Sequence, residues 1–180
     1  MMVGFFSRFA AAAFFSFALT ACASGPDYDY AGASNSARIK PGSSGHLQCV
    51  PYARLHSGIQ IHGDAWTWWN KAAGRYQRES QPSDGAVLVL YNYAGPRRAH
   101  LAVVRSRESD RVIRVDHANW FNDGTIYVDD PVQDVSPNND WSEVRVWNIR
   151  TGAWGGRVYP VQGFIAAEPV DGNMRVASGY

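Results

Sequence analysis

Cys49 lies in the run Gly45-His46-Leu47-Gln48-Cys49-Val50-Pro51-Tyr52-Ala53, which reads as the opening of a helix. A thiol attacks a carbonyl carbon only as the thiolate. A helix N-terminus supplies partial positive charge and unpaired N–H groups that lower the thiol pKa. The same N–H groups can hold an oxyanion. A histidine must take and return the proton, and a rigid strand holds it best. His100 opens such a strand, Ala99-His100-Leu101-Ala102-Val103-Val104. A third polar group ordinarily orients that imidazole, and the candidates lie in Val115-Asp116-His117-Ala118-Asn119-Trp120. Strand alternation places His117 and Asn119 on one face with Ile113 and Val115, and Asp116 on the other. Asp116 is chemically the better partner for an imidazolium, and a bulge would reverse the parity, so it stays a third alternative behind His117 and Asn119. A lone cysteine is more often a small buried hydrophobe, and a lone strand histidine a structural one. The catalytic reading therefore depends on the combination of Cys49 and His100 rather than on either residue.

These side chains must be positioned by helices first and strands afterwards. Gln48 to His56 predicts a short helix ended by Gly58, with Pro51 tolerated because it falls in the first turn. A second helix is expected from Asp64, as N-cap, to Ala73, with Gly74 as the stop. Its apolar positions Ala65, Trp66, Trp69, Ala72 and Ala73 share one face, which reads as a buried stripe. Pro82-Ser83-Asp84-Gly85 is a turn. Strands are expected at 86–91, 99–106, 111–117, 125–128, 143–149 and 161–166. Helices followed by consecutive strands predict an α+β domain with an antiparallel sheet. The ordered body is expected to run from about Gly45 to 167, followed by a loose tail over 168–180.

The order of these features resembles the CHAP domain, the cysteine, histidine-dependent amidohydrolase/peptidase. The resemblance is carried by Gln48-Cys49 leading a helix, the Trp-rich second helix, Pro82-x-x-Gly85 before a strand, and His100-Leu101-Ala102-Val103-Val104. It implies a papain-like fold with N-terminal helices packed on an antiparallel sheet, Cys49 as nucleophile and His100 as general base. Related domains carry Glu-x-Asn after the histidine strand. Alignment on Asn119-Trp120 puts His117 at the acidic position and Asn119 at the amide position, and Gln48 assists the oxyanion by the same analogy. The implied activity is cleavage of amide bonds in the peptidoglycan stem peptide, as endopeptidase or amidase, with no cofactor. The alternative is an envelope-binding lipoprotein that uses the same groove without catalysis.

The N-terminus carries the second cysteine. Arg8 is followed by an apolar run over 9–19, long enough for a signal-peptide core and too short to span a bilayer as a helix. The run ends in Leu19-Thr20-Ala21-Cys22, which resembles the bacterial lipoprotein box. That likeness implies a signal peptide over 1–21, lipidation of Cys22, and a tether over 22–44 rich in Ala, Ser and Gly. An ordinary secretory signal, with Ala21-Cys22-Ala23 as a small-x-small cleavage site that removes Cys22, is the competing reading. Ala23, in place of an aspartate, favours an outer-membrane, periplasmic destination. A Cys22–Cys49 disulfide, the usual reading of two cysteines in an exported chain, is not expected. Hydrophobic residues make up 46% and charged residues 18%, which excludes disorder across the body. Cleavage after residue 21 would leave acids and bases equal in number, and no basic run points to nucleic acid. Ser43 to Leu47 lacks the carboxylates of a calcium loop, and His46, His56 and His62 form no zinc signature. Asp129, Asp130, Asp134 and Asp140, with Asn138 and Asn139, read as a solvated loop.

Overall fold

The computed structural model describes Met1 and residues 37–40 and 47–169. The signal, lipidation and most of the tether expected before Arg38 lie outside them, as does the tail beyond 169. The chain runs through β1 (Arg38–Lys40), α1 (Cys49–Ser57), a 3-10 turn (Ala65–Thr67), α2 (Trp68–Ala72), β2 (Tyr76–Glu79) and β3 (Val87–Leu90). It continues through β4 (His100–Arg107), β5 (Val112–Ala118), β6 (Ile126–Asp134), β7 (Glu143–Asn148), β8 (Ala153–Trp154) and β9 (Tyr159–Pro169). β1 falls in the stretch read as tether, where Arg38 to Lys40 pair with Val128 to Ile126.

The α+β expectation, a papain-like fold with N-terminal helices packed on an antiparallel sheet, is corrected by the strand pairing. β6, β5, β4, β3, β9 and β7 follow one another, and β6 also pairs with β7. The sheet thereby closes into a six-stranded antiparallel barrel, accompanied among the described residues by two short α-helices. Closure depends on β6 running on to Asp134, where Val132, Gln133 and Asp134 meet Val146, Arg145 and Val144. The sequence pattern ended that strand at Val128, because Asp129-Asp130-Pro131 resembles a loop.

Alternation sorts the core into two clusters. Leu88, Leu90, Ala102, Val104, Ile113, Val115, Tyr127, Val132, Val144, Val146 and Phe164 fill the barrel interior. The opposite faces of β3 and β4, with Val87, Val89, Leu101 and Val103, meet Tyr52, Ala53, Trp68 and Ala72 of the helices. Six strands enclose only enough space for side chains, so a substrate must bind outside the barrel.

The second helix differs from its sequence reading. A 3-10 turn precedes the five-residue α2, and the change in pitch rotates the buried face. Trp68 is fully buried, whereas Trp66, expected in the buried stripe, is 38% exposed. α1 begins at Cys49 and ends at Gly58, whose φ of 75° is left-handed.

Candidate active site

Cys49 is the first residue of α1, and His100 the first of β4. Both line one groove of about 510 Å³, together with Gln48, Asp64, Trp66, Tyr93, Arg97 and Asn119. Cys49 is a free thiol. His100 continues the interior row of Ala102 and Val104, and His117 that of Ile113 and Val115, so the two imidazoles meet at the end of the barrel. Nε2 of His100 lies 2.9 Å from Nδ1 of His117. Nε2 of His117 lies 3.1 Å from Oδ2 of Asp130 on β6. His100 is 2% exposed, His117 1% and Asp130 0%.

Aromatic rings shield this row. The Trp120 ring is 4.9 Å from that of His100 and 5.3 Å from that of His117, centroid to centroid. Tyr93 lies 5.2 Å from His100, and its hydroxyl donates to the Trp120 carbonyl.

The remaining sequence candidates are placed differently. Asn119, at φ 64°, accepts the Gly124 N–H on Oδ1 at 2.8 Å and donates from Nδ2 to Gln48 Oε1 at 2.9 Å. A backbone N–H can only donate, so this chain of bonds sets both amides and leaves Gln48 Nε2 as a free-facing donor. Asn119 thus positions Gln48 rather than His100. Asp116 points to the other face of β5. It accepts the Asp129 N–H at 2.7 Å and approaches Arg105 Nε at 3.4 Å.

The electrostatics correct one expectation. A helix N-terminus was expected to lower the Cys49 pKa. Instead, burial pushes the thiol above its ordinary 9.0, against opposing backbone hydrogen bonds from Leu101, Val50 and Cys49 itself. Burial, and then the neighbouring His117, hold His100 well below its ordinary 6.5. The resting pair is therefore a neutral thiol and a neutral imidazole. The Gln48 side chain makes no cap bond to α1, so it does not occupy the first-turn N–H groups.

Asp130 was missed by sequence reasoning, which placed it in a solvated loop. It is buried, as is Asp134 at 1% exposure. Asp129 sits at φ 58°, and the register shifts from Val115↔Asp130 to His117↔Tyr127. That extra residue on β6 turns Asp130 inward. The available signal was the proline after it, since a proline within a strand commonly accompanies a bulge. Among the described residues, no group of three or more His, Cys, Asp or Glu is arranged to hold a metal ion.

Residues 39–119 match the family model of the CHAP domain. From β1 to just past β5, the chain is thus similar to a CHAP domain. Its family's activity is hydrolysis, as amidase or peptidase. The CHAP match begins in β1 and takes in Cys49, His100, His117 and Asn119, but ends before Asp130. No curated protein and no solved structure matches the chain.

Proposed function

We propose that this CHAP domain is a peptidoglycan hydrolase that cleaves an amide bond of the stem peptide through Cys49. The observation that carries the reading is that Cys49 and His100 share one groove while the far nitrogen of His100 is held by His117. With Nε2 so engaged, Nδ1 is the nitrogen left to take the thiol proton. As that proton moves to His100, Cys49 Sγ attacks the amide carbonyl carbon. The oxyanion is received by the first-turn N–H groups of α1 and by Gln48 Nε2. Collapse breaks the C–N bond, and the imidazolium of His100 protonates the leaving amine. Water, deprotonated by His100, then opens the thioester and restores the thiol.

The groove carries both signs of charge, Asp64 from the loop before α2 and Arg97 and Arg98 from the β3–β4 loop. That mixture suits a peptide bearing free carboxylates and amines. Mass spectrometry of fragments released from purified sacculi tests the proposal. Fragments cut within the stem peptide identify an endopeptidase, and intact stem peptides freed from glycan identify an amidase. Binding of sacculi without release would overturn hydrolysis in favour of a binding role.

The lipoprotein-like box ending at Cys22 supports attachment to the periplasmic face of the outer membrane. Metabolic labelling with palmitate should mark the chain and be lost in Cys22→Ser. Equal labelling of both would remove the anchor from the proposal.

A further inference from the structure

We infer that Asp130 is a positioning residue for the catalytic base, acting through His117 to hold His100 with its Nδ1 lone pair toward the thiol. The inference rests on the hydrolase reading for its catalytic consequence, but its geometry stands apart from any substrate. Asp130 also lies beyond the stretch that matches the family.

The two buried carboxylates on β6, Asp130 and Asp134, differ in what they bind. Asp134 is buried and structural: Oδ1 accepts the Ser136 N–H at 2.8 Å and Oδ2 the Trp141 N–H at 3.3 Å. Asp130 is as deeply buried, yet its Oδ1 has no hydrogen-bond partner and its Oδ2 faces His117 Nε2. A carboxylate kept from water with one oxygen unsatisfied adds little to stability. Its placement is explained by the histidine it faces.

The proton order follows from donor and acceptor roles. An ionised carboxylate only accepts, so His117 must carry its proton on Nε2. A neutral His117 then accepts at Nδ1, and His100 must donate from Nε2. The lone pair of His100 is thereby left on Nδ1. When the thiol proton arrives there, His100 becomes an imidazolium, with its Nε2–H still bonded to His117. The negative charge of Asp130 stabilises that cation through His117 and takes no proton itself. The titratable and charged groups facing Asp130 are His117 and Arg114 from β5 and Asp129 from β6 itself. Burial raises the Asp130 carboxyl, and the His117 bond opposes that rise.

Nitrogen-15 NMR of the histidines and the pH profile of sacculus cleavage test this together, in the whole protein and in Asp130→Asn. In the unaltered protein, His117 should be the Nε2–H tautomer and His100 likewise. In Asp130→Asn, kcat should fall by about 10³- to 10⁴-fold with KM little changed. The acid limb of kcat/KM should move to lower pH, because loss of the anion weakens proton binding by the histidine pair. Asp134→Asn should lower the melting temperature without moving that limb. An Nδ1–H tautomer of His117 in the unaltered protein would overturn the inference, even if Asp130→Asn does not fold. So would an unmoved acid limb in a folded Asp130→Asn. If the unaltered protein cleaves nothing, the hydrolase reading fails while the tautomers still decide the role of Asp130.

Discussion

Cys49→Ala should abolish release of muropeptides, with kcat lower by about 10⁵- to 10⁶-fold, while the protein stays folded. The loss is this large because no other group in the groove can form the thioester. Gln48 and the first-turn N–H groups would still bind the carbonyl oxygen, but nothing would attack the carbon. The fold should survive because Cys49 begins α1 rather than filling the barrel, and alanine is the best helix former. Rates of cleavage and the thermal transition, measured on the same preparation, check both halves. Persisting cleavage at a comparable rate would remove Cys49 from the chemistry. Alkylation of the intact protein adds a pH test. Burial holds the thiol above 9.0, so the thiolate is scarce at neutral pH. Alkylation should be slow near pH 7 and accelerate as pH rises through the thiol's own range.

His100→Asn should be nearly as damaging, with kcat/KM lower by about 10⁴-fold or more, and should change the shape of the pH profile. In the intact protein, kcat/KM requires a neutral His100 in the free enzyme. Burial and His117 place its titration well below 6.5, so activity should hold through mildly acidic pH and fall only beneath it. At the alkaline end the plateau should extend to the thiol, whose titration lies above 9.0. Without the imidazole, attack must wait for spontaneous thiolate, and the residual rate should climb steadily with pH. A plateau retained in the variant would mean that another group serves as base. A profile in the intact protein that falls already through pH 7 would contradict the burial of His100.

Much of this site is legible in sequence because strand alternation is strictly periodic. His100, Ala102 and Val104 share a face, as do Ile113, Val115 and His117, and the structure keeps both rows inside the barrel. Turn chemistry was equally direct at Gly58 and Gly74, both left-handed. What escaped were the places where the period breaks. Asp129 adds a residue to β6, so counting by two from Tyr127 misplaces Asp130. The 3-10 turn at Ala65–Thr67 shifts the helical phase, burying Trp68 and exposing Trp66. Barrel closure escaped for another reason: β3 pairs with β9 from the far end of the fold, and so distant a contact leaves no local mark in either strand. The thiol was misjudged because helix termini are readable in sequence while desolvation is not.

Cys49 packs with the cluster on the outer face of β3 and β4, whereas His100 continues the row inside the barrel. His100 and His117 are rooted in a ring of six mutually paired strands, which has no end from which to fray. Cys49 rides on a nine-residue helix held by Tyr52, Ala53 and Ser57. Elements with fewer buried contacts open at lower free energy than the core. The reaction centre thus lies along a seam between the ring and the helix laid on it. Were α1 to leave that seam, thiol and imidazole would part while the ring stayed whole.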